Sequence, residues 1–153
     1  MNLHRLLRQR EAAGRPLRIA LIGAGKFGAM YLSQARTTPG MHIAAVVDLQ
    51  PARAHDALTR TGWEAARIGA PSVEQAVKSR TVHITDDAPA VIASPHIDIV
   101  IDATGSPAAG IRHVLACCEH GKHIVMVNVE ADALAGPLLA RYAERAGIVY
   151  SLA

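Results

Sequence analysis

Residues 17–28 read LRIALIGAGKFG, and no other stretch restricts the fold as tightly. The run Leu17–Ile22 is short, apolar and closed by glycine, the pattern of a buried strand. Glycines follow at Gly23, Gly25 and Gly28, where a helix pattern opens. Between strand and helix, each of three glycines so spaced has its own use. The first permits the tight turn, the second leaves the backbone bare for close approach, and the third lets the helix pack on the sheet. The helix N-terminus then offers free N–H groups and partial positive charge to an anion. No Gly-Lys-Ser/Thr ending follows, which excludes a P-loop. The turn therefore suits the pyrophosphate of a dinucleotide, with Gly23, Ala24, Gly25, Lys26, Phe27 and Gly28 as candidate contacts. Lys26 could reach phosphate, although a solvated surface lysine is the simpler reading.

Strand and helix patterns alternate along the chain. Strands are expected at 17–22, 42–48, 81–85, 97–103, 123–129 and 148–152. Helices are expected at 26–37, 51–60, 73–79, 87–93, 107–120 and 132–146, with Pro51 in a first turn and Gly121 and Gly147 as stops. A short helix at 3–13, with Leu3, Leu6 and Leu7 on one side, precedes them and ends at Gly14–Pro16. The stretch 61–80 is the least legible. This rhythm predicts an α/β fold of Rossmann type: a doubly wound parallel sheet of about six strands, ordered 3-2-1-4-5-6, with helices on both faces. Residues 1–16 read as an N-terminal helical extension and 17–153 as the dinucleotide-binding domain.

Composition agrees. Aromatics are only 3% of the chain, and the apolar half is Ala, Val, Ile and Leu, which suits buried parallel strands. The formal charge of +3 is local: Arg5, Arg8, Arg10, Arg15 and Arg18 against Glu11 put +4 on the first 18 residues. A basic tail with few aromatics to stack on bases speaks against nucleic-acid binding. Cys117 and Cys118 are neighbours and ill-placed for a disulfide, so a reduced, cytoplasmic protein is expected. No apolar run reaches the ~20 residues of a membrane span, and no signal-peptide core is present.

Asp48 ends the second strand pattern, where this fold places an acid against the adenosine ribose. A carboxylate there accepts from the ribose hydroxyls and repels a 2′-phosphate, which favours NAD. Arg53 could instead attract that phosphate, so NADP stays possible. On the nicotinamide side, Thr104 and Gly105 are candidate contacts in the loop after the fourth strand. Thr104 or Ser106 could equally cap the next helix. Asn128 and Glu130 are expected at the end of the fifth strand, with helix capping by Glu130 or Asp132 as the alternative. Asp98 is expected exposed at a strand entry. His113, His120 and His123 are expected at the surface around one helix end. No histidine has metal-site spacing, and no catalytic triad is arguable.

Together LRIALIGAGKFG, AVVDLQPARA, IDIVIDATGSP and MVNVEADALAGPLLARYAERAGIVYSLA resemble the N-terminal domain of homoserine-dehydrogenase-like oxidoreductases. The resemblance spans nearly the whole chain and is nearest to the branch that carries a C-terminal SAF domain, which includes 1-deoxy-D-xylulose 5-phosphate reductoisomerase-like proteins. It implies hydride transfer between nicotinamide and a small carbonyl or hydroxy substrate, and a catalytic, oligomer-forming domain beyond residue 153. It carries Asn128 over as a site residue. The Lys that follows that Asn in homoserine dehydrogenases is Val129 here, so homoserine is not implied as substrate. The catalytic residues are then expected outside these 153 positions. A non-enzymatic NAD(H)-sensing module, or a CoA- or nucleotide-binding domain sharing only the fold, are the other readings.

Overall fold

The computed structural model describes residues 2–153. Seven strands form one sheet in the order β3-β4-β2-β1-β5-β6-β7, and every pairing is parallel. They are β1 (Leu17–Ile22), β2 (Met41–Val47), β3 (Ile68–Ala70), β4 (Val82–Thr85), β5 (Ile99–Asp102), β6 (His123–Met126) and β7 (Tyr150–Leu152). The six expected strands are all present in the expected order. The seventh, β3, lies in the stretch that sequence left unread, and it extends the sheet beyond β4. Its three residues, Ile-Gly-Ala, are too few to show a period.

Seven α-helices alternate with the strands: α1 (Leu3–Ala12), α2 (Lys26–Ala35), α3 (Pro51–Arg60), α4 (Val73–Ser79), α5 (Ala88–Ala93), α6 (Pro107–His120) and α7 (Val129–Ala146). Caps set most of their starts. Asn2, Ser72, Asp87 and Ser106 each accept a backbone N–H three residues on, and Pro51 and Pro107 occupy first turns. Gly121 and Gly147 end α6 and α7 in the left-handed conformation.

Two apolar cores lie on the two sides of the sheet. Leu32 and Ala35 of α2, and Ala54, Ala57 and Leu58 of α3, pack with Ile19, Leu21, Ile43 and Val46. On the other side Val91 and Ile92 of α5, Val114 and Cys117 of α6, and Leu139 and Ala143 of α7 pack with Ala20, Ala44, Val100 and Ile124. Inward-pointing strand residues thus alternate between the cores, as a doubly covered sheet requires. Trp63 closes the first core and donates its indole N–H to the Leu32 carbonyl at 3.2 Å.

Three expectations change. The fifth strand pattern, 123–129, splits: β6 stops at Met126 and α7 begins at Val129, not 132. Asp98 is only part-exposed, because its carboxylate takes the Arg18 backbone N–H at 2.9 Å and two guanidinium hydrogen bonds that tie β5 to β1. His113 lies inside α6, away from the helix end where sequence grouped it with His120 and His123. The α1 helix has no buried residue, and its Leu3 and Leu6 stay exposed. Cys117 and Cys118 are free thiols, and burial pushes Cys117 up to about 12. Among the described residues no helix is long and apolar enough to cross a membrane.

Candidate cofactor site

The glycines after β1 divide into two kinds. Gly23 has φ +102°, outside the range side chains favour, and a Cβ there would sit 2.7 Å from the Ala103 carbonyl oxygen. A Cβ on Gly28 would run into the Gly23 carbonyl. Both positions are closed by the fold itself. Gly25 differs: its φ is −74°, and a Cβ there meets nothing within 4 Å. It is the N-cap of α2, and among the described residues no side chain bonds to that helix's first N–H groups. A bare backbone facing open space at an uncapped helix N-terminus is a place for an anion.

Asp48 reaches back across this turn. Its Oδ2 accepts from the Ala24 N–H and its Oδ1 from the Gln50 N–H, each at 2.9 Å. It is 8% exposed. A carboxylate has about four acceptor sites, so two remain for a ribose. Asp48 directly follows β2, as the sequence places it, and it also fastens the glycine turn to that strand, which the sequence did not reveal. Leu49, next in the chain, is 90% exposed and offers an apolar surface beside it.

An open cleft of about 690 Å³ adjoins the turn, between α2 and α3. Gly25, Lys26, Arg53, Asp56 and Arg60 line it, and Lys26 and Arg53 are exposed. Arg53, Asp56 and Arg60 share one face of α3 by helical spacing. Phe27 does not line the cleft: it stacks on Tyr31 at a centroid distance of 6.4 Å. Burial raises the Tyr31 phenol above its ordinary pKa, and its hydroxyl has no partner among the described residues.

On the other half of the sheet edge two of the four expected contacts, Thr104 and Asn128, are bonded to each other. Asp102 ends β5 fully buried. Its Oδ1 accepts from the Thr104 N–H at 2.9 Å and the Thr104 hydroxyl at 2.7 Å, and its Oδ2 from His113 Nδ1 at 2.7 Å. The carboxylate can only accept, so the Nδ1 proton is donated. Asn128, 2% exposed, donates from Nδ2 to the Thr104 hydroxyl at 3.1 Å and the Ser106 carbonyl at 2.8 Å. Its Oδ1 takes the Ala131 N–H at 3.1 Å and so caps α7. Asn128 therefore anchors the loop 103–106 instead of presenting an amide to a ligand. Glu130 is exposed in the first turn of α7, where its charge complements the helix dipole. Gly105 is exposed with open space at its Cβ position. Ser106 caps α6, one of the two roles read for it.

The profile of the GFO/IDH/MocA oxidoreductase family, NAD-binding Rossmann fold, matches residues 17–127. The chain belongs to that family. It is an NAD-binding domain of the oxidoreductase kind. A 4-hydroxy-tetrahydrodipicolinate reductase from Halorhodospira halophila is 32% identical over 137 residues, 88% of this chain and 45% of that protein. Among solved structures, a homoserine dehydrogenase from Thiobacillus denitrificans superposes with TM-score 0.70 at 18% identity, over 90% of this chain and 29% of that one. The gentamicin-biosynthesis protein GenD2, solved with NAD, superposes with TM-score 0.65 at 20% identity, over 90% of this chain and 34% of that one. The chain thus spans less than half the length of that reductase and about a third of these structures, whose likeness shows the fold alone.

Proposed function

We propose that residues 17–153 are the cofactor half of a dehydrogenase or reductase. In this reading NAD lies along the carboxyl edge of the sheet, with its pyrophosphate on the Gly23–Gly28 turn. The observation that carries it is Gly25, bare and open while its two companions are closed by the fold. The residues fit the group: Asp48 retains acceptor capacity for the ribose, Leu49 offers apolar surface to the adenine, and Gly105 leaves the nicotinamide side open. The bound nicotinamide would supply hydride chemistry with a small carbonyl or hydroxy compound. Thr104, Asn128, Asp102 and His113 hold the adjoining loop in place. A separate domain would then orient the substrate and handle its proton, as in proteins of the homoserine-dehydrogenase-like, SAF-carrying branch. Cytoplasmic location and homo-oligomer formation belong to the same reading.

Lys26, Arg53 and Arg60 around the α2–α3 cleft favour NADP as the second reading, since a 2′-phosphate leaving the ribose at Asp48 would meet them. The deciding experiment is calorimetric titration of both cofactors into this chain and into Gly25→Val. NAD should bind the parent chain, and at least tenfold more weakly, about 1.4 kcal/mol, the folded variant. Equal affinity in a folded Gly25→Val would remove the pyrophosphate from this turn.

A further inference from the structure

The amino end of the sheet, opposite the glycine turn, holds a second cavity, of about 340 Å³. Arg10 in the last turn of α1, Arg15 from the α1–β1 connection, Arg18 of β1 and Arg80 after α4 converge on it, with His42 and Asp98. The charges do not balance. Asp98 is consumed by Arg18. Glu11, behind the rim, takes the Gly40 N–H at 3.0 Å and lies 3.7 Å from Arg80. Arg10 and Arg15 have no carboxylate in ion-pair range among the described residues. Four guanidinium groups thus face two carboxylates.

Two neighbouring groups have lowered pKa values, with burial the largest cause in each. The His42 imidazole is held below its ordinary pKa by burial and by the charges of Arg80 and Arg67. The Lys122 ammonium, bonded to the Ile97 carbonyl at 2.9 Å, is lowered by burial and by Arg18. Arg80 is also the one non-glycine residue with positive φ among those described, at φ 56°. A glycine would close α4 there with less strain, so the arginine occupies the position at a cost to the backbone.

We infer that this cavity binds a compact multivalent anion of the phosphate class, held by Arg10, Arg15 and Arg80. Fork-shaped guanidinium groups suit phosphate oxygens. At roughly 30 Å³ per water the space equals about eleven waters, which admits an anion the size of pyrophosphate. The site lies across the sheet from the glycine turn and is independent of the cofactor reading.

The test is calorimetric titration with inorganic pyrophosphate at low ionic strength without added metal, where exposed charges are least screened. It is run on Gly25→Val, so that the glycine turn does not contribute. One saturable site should remain in that background. Adding Arg10→Gln and Arg15→Gln should weaken it at least tenfold, while the same pair placed in the parent chain leaves NAD affinity unchanged. Arg80→Gly should also weaken pyrophosphate binding severalfold without lowering the melting temperature, since glycine suits that conformation. Glycerol 3-phosphate, offered in parallel, tells whether a phosphomonoester suffices or two phosphates are required. Pyrophosphate binding that is non-saturable, that vanishes with Gly25→Val alone, or that is indifferent to all three arginines would overturn the assignment. Failure of NAD to bind the parent chain would count against the cofactor reading only.

Discussion

Asp102 is the residue whose loss should be felt most. Its carboxylate is fully buried and takes three hydrogen bonds, two from Thr104 and one from His113. In Asp102→Ala the Thr104 hydroxyl can turn elsewhere, but the Thr104 N–H and the His113 Nδ1–H lose their acceptor. Each orphaned, largely buried donor costs about 1–3 kcal/mol, so the two together should cost the variant about 2–6 kcal/mol. That is a large part of an ordinary domain stability of about 5–15 kcal/mol. Asp102→Asn should cost less, about 1–2 kcal/mol, because its amide oxygen still serves Thr104 and only His113 must change tautomer. Urea denaturation at neutral pH, with equal slopes across variants, measures both. Because the loop 103–106 hangs from this carboxylate, NAD affinity should fall at least tenfold in Asp102→Ala. Removing His113 as well deletes one orphan, so Asp102→Ala combined with His113→Leu should fall short of the sum of the single losses by about 1–2 kcal/mol. A loss under 1 kcal/mol in Asp102→Ala, or strict additivity in the double variant, would refute the account of this network.

Asp48→Asn should lower the NAD-to-NADP affinity ratio at least fivefold by calorimetry, and should cost about 1 kcal/mol of stability because one of its two backbone bonds is lost. A parent chain that prefers NADP would transfer the decision to Arg53 and Arg60. Burial raises the Asp98 carboxyl, but the hydrogen bonds and charge of Arg18 outweigh it and leave the pKa below its ordinary value. The pair therefore stabilises fully above about pH 4, the unfolded carboxyl range, and the benefit disappears as pH falls through the folded value. Asp98→Asn should cost about 1–2 kcal/mol at pH 7 and flatten that acid limb in pH-dependent denaturation. His42 carries the opposite sign: with burial first among the causes, its folded pKa lies below its ordinary value. The unfolded chain then binds the extra proton, so stability falls as pH drops below about 6.5. Melting curves of His42→Gln between pH 5 and 8 should lose that slope.

The sheet was legible because its information is local. Six apolar runs separated by helical spacings carry the strand order with them, and the turn at Gly23–Gly28 supplies the direction in which a ligand is met. What failed to read was set by partners distant in sequence. Val127-Asn128-Val129 has the look of a strand end. Yet Asn128 bonds to Thr104 and Ser106, 24 and 22 residues away, and to Ala131, and those bonds start the helix early. His113 carried a signal that went unused. It falls three residues from Gly110 and four from Cys117, beside the buried face of α6, so an inward partner was to be sought. Asp98 shows the same limit, since a strand-entry carboxylate reads as solvated until its arginine 80 positions earlier is found.

A sheet with only parallel neighbours also has a history during synthesis. The central strand β1 leaves the ribosome well before β5, yet one of its edges pairs only with β5, as Ile22 does with Asp102. At about 5–20 residues per second, the 80 residues between them take about 4–16 s to make. For that interval the apolar run Leu17–Ile22 has at most β2 beside it, and a template edge stays open to any other nascent strand. Slow synthesis or a crowded polysome should therefore cost this chain more yield than its finished stability would suggest.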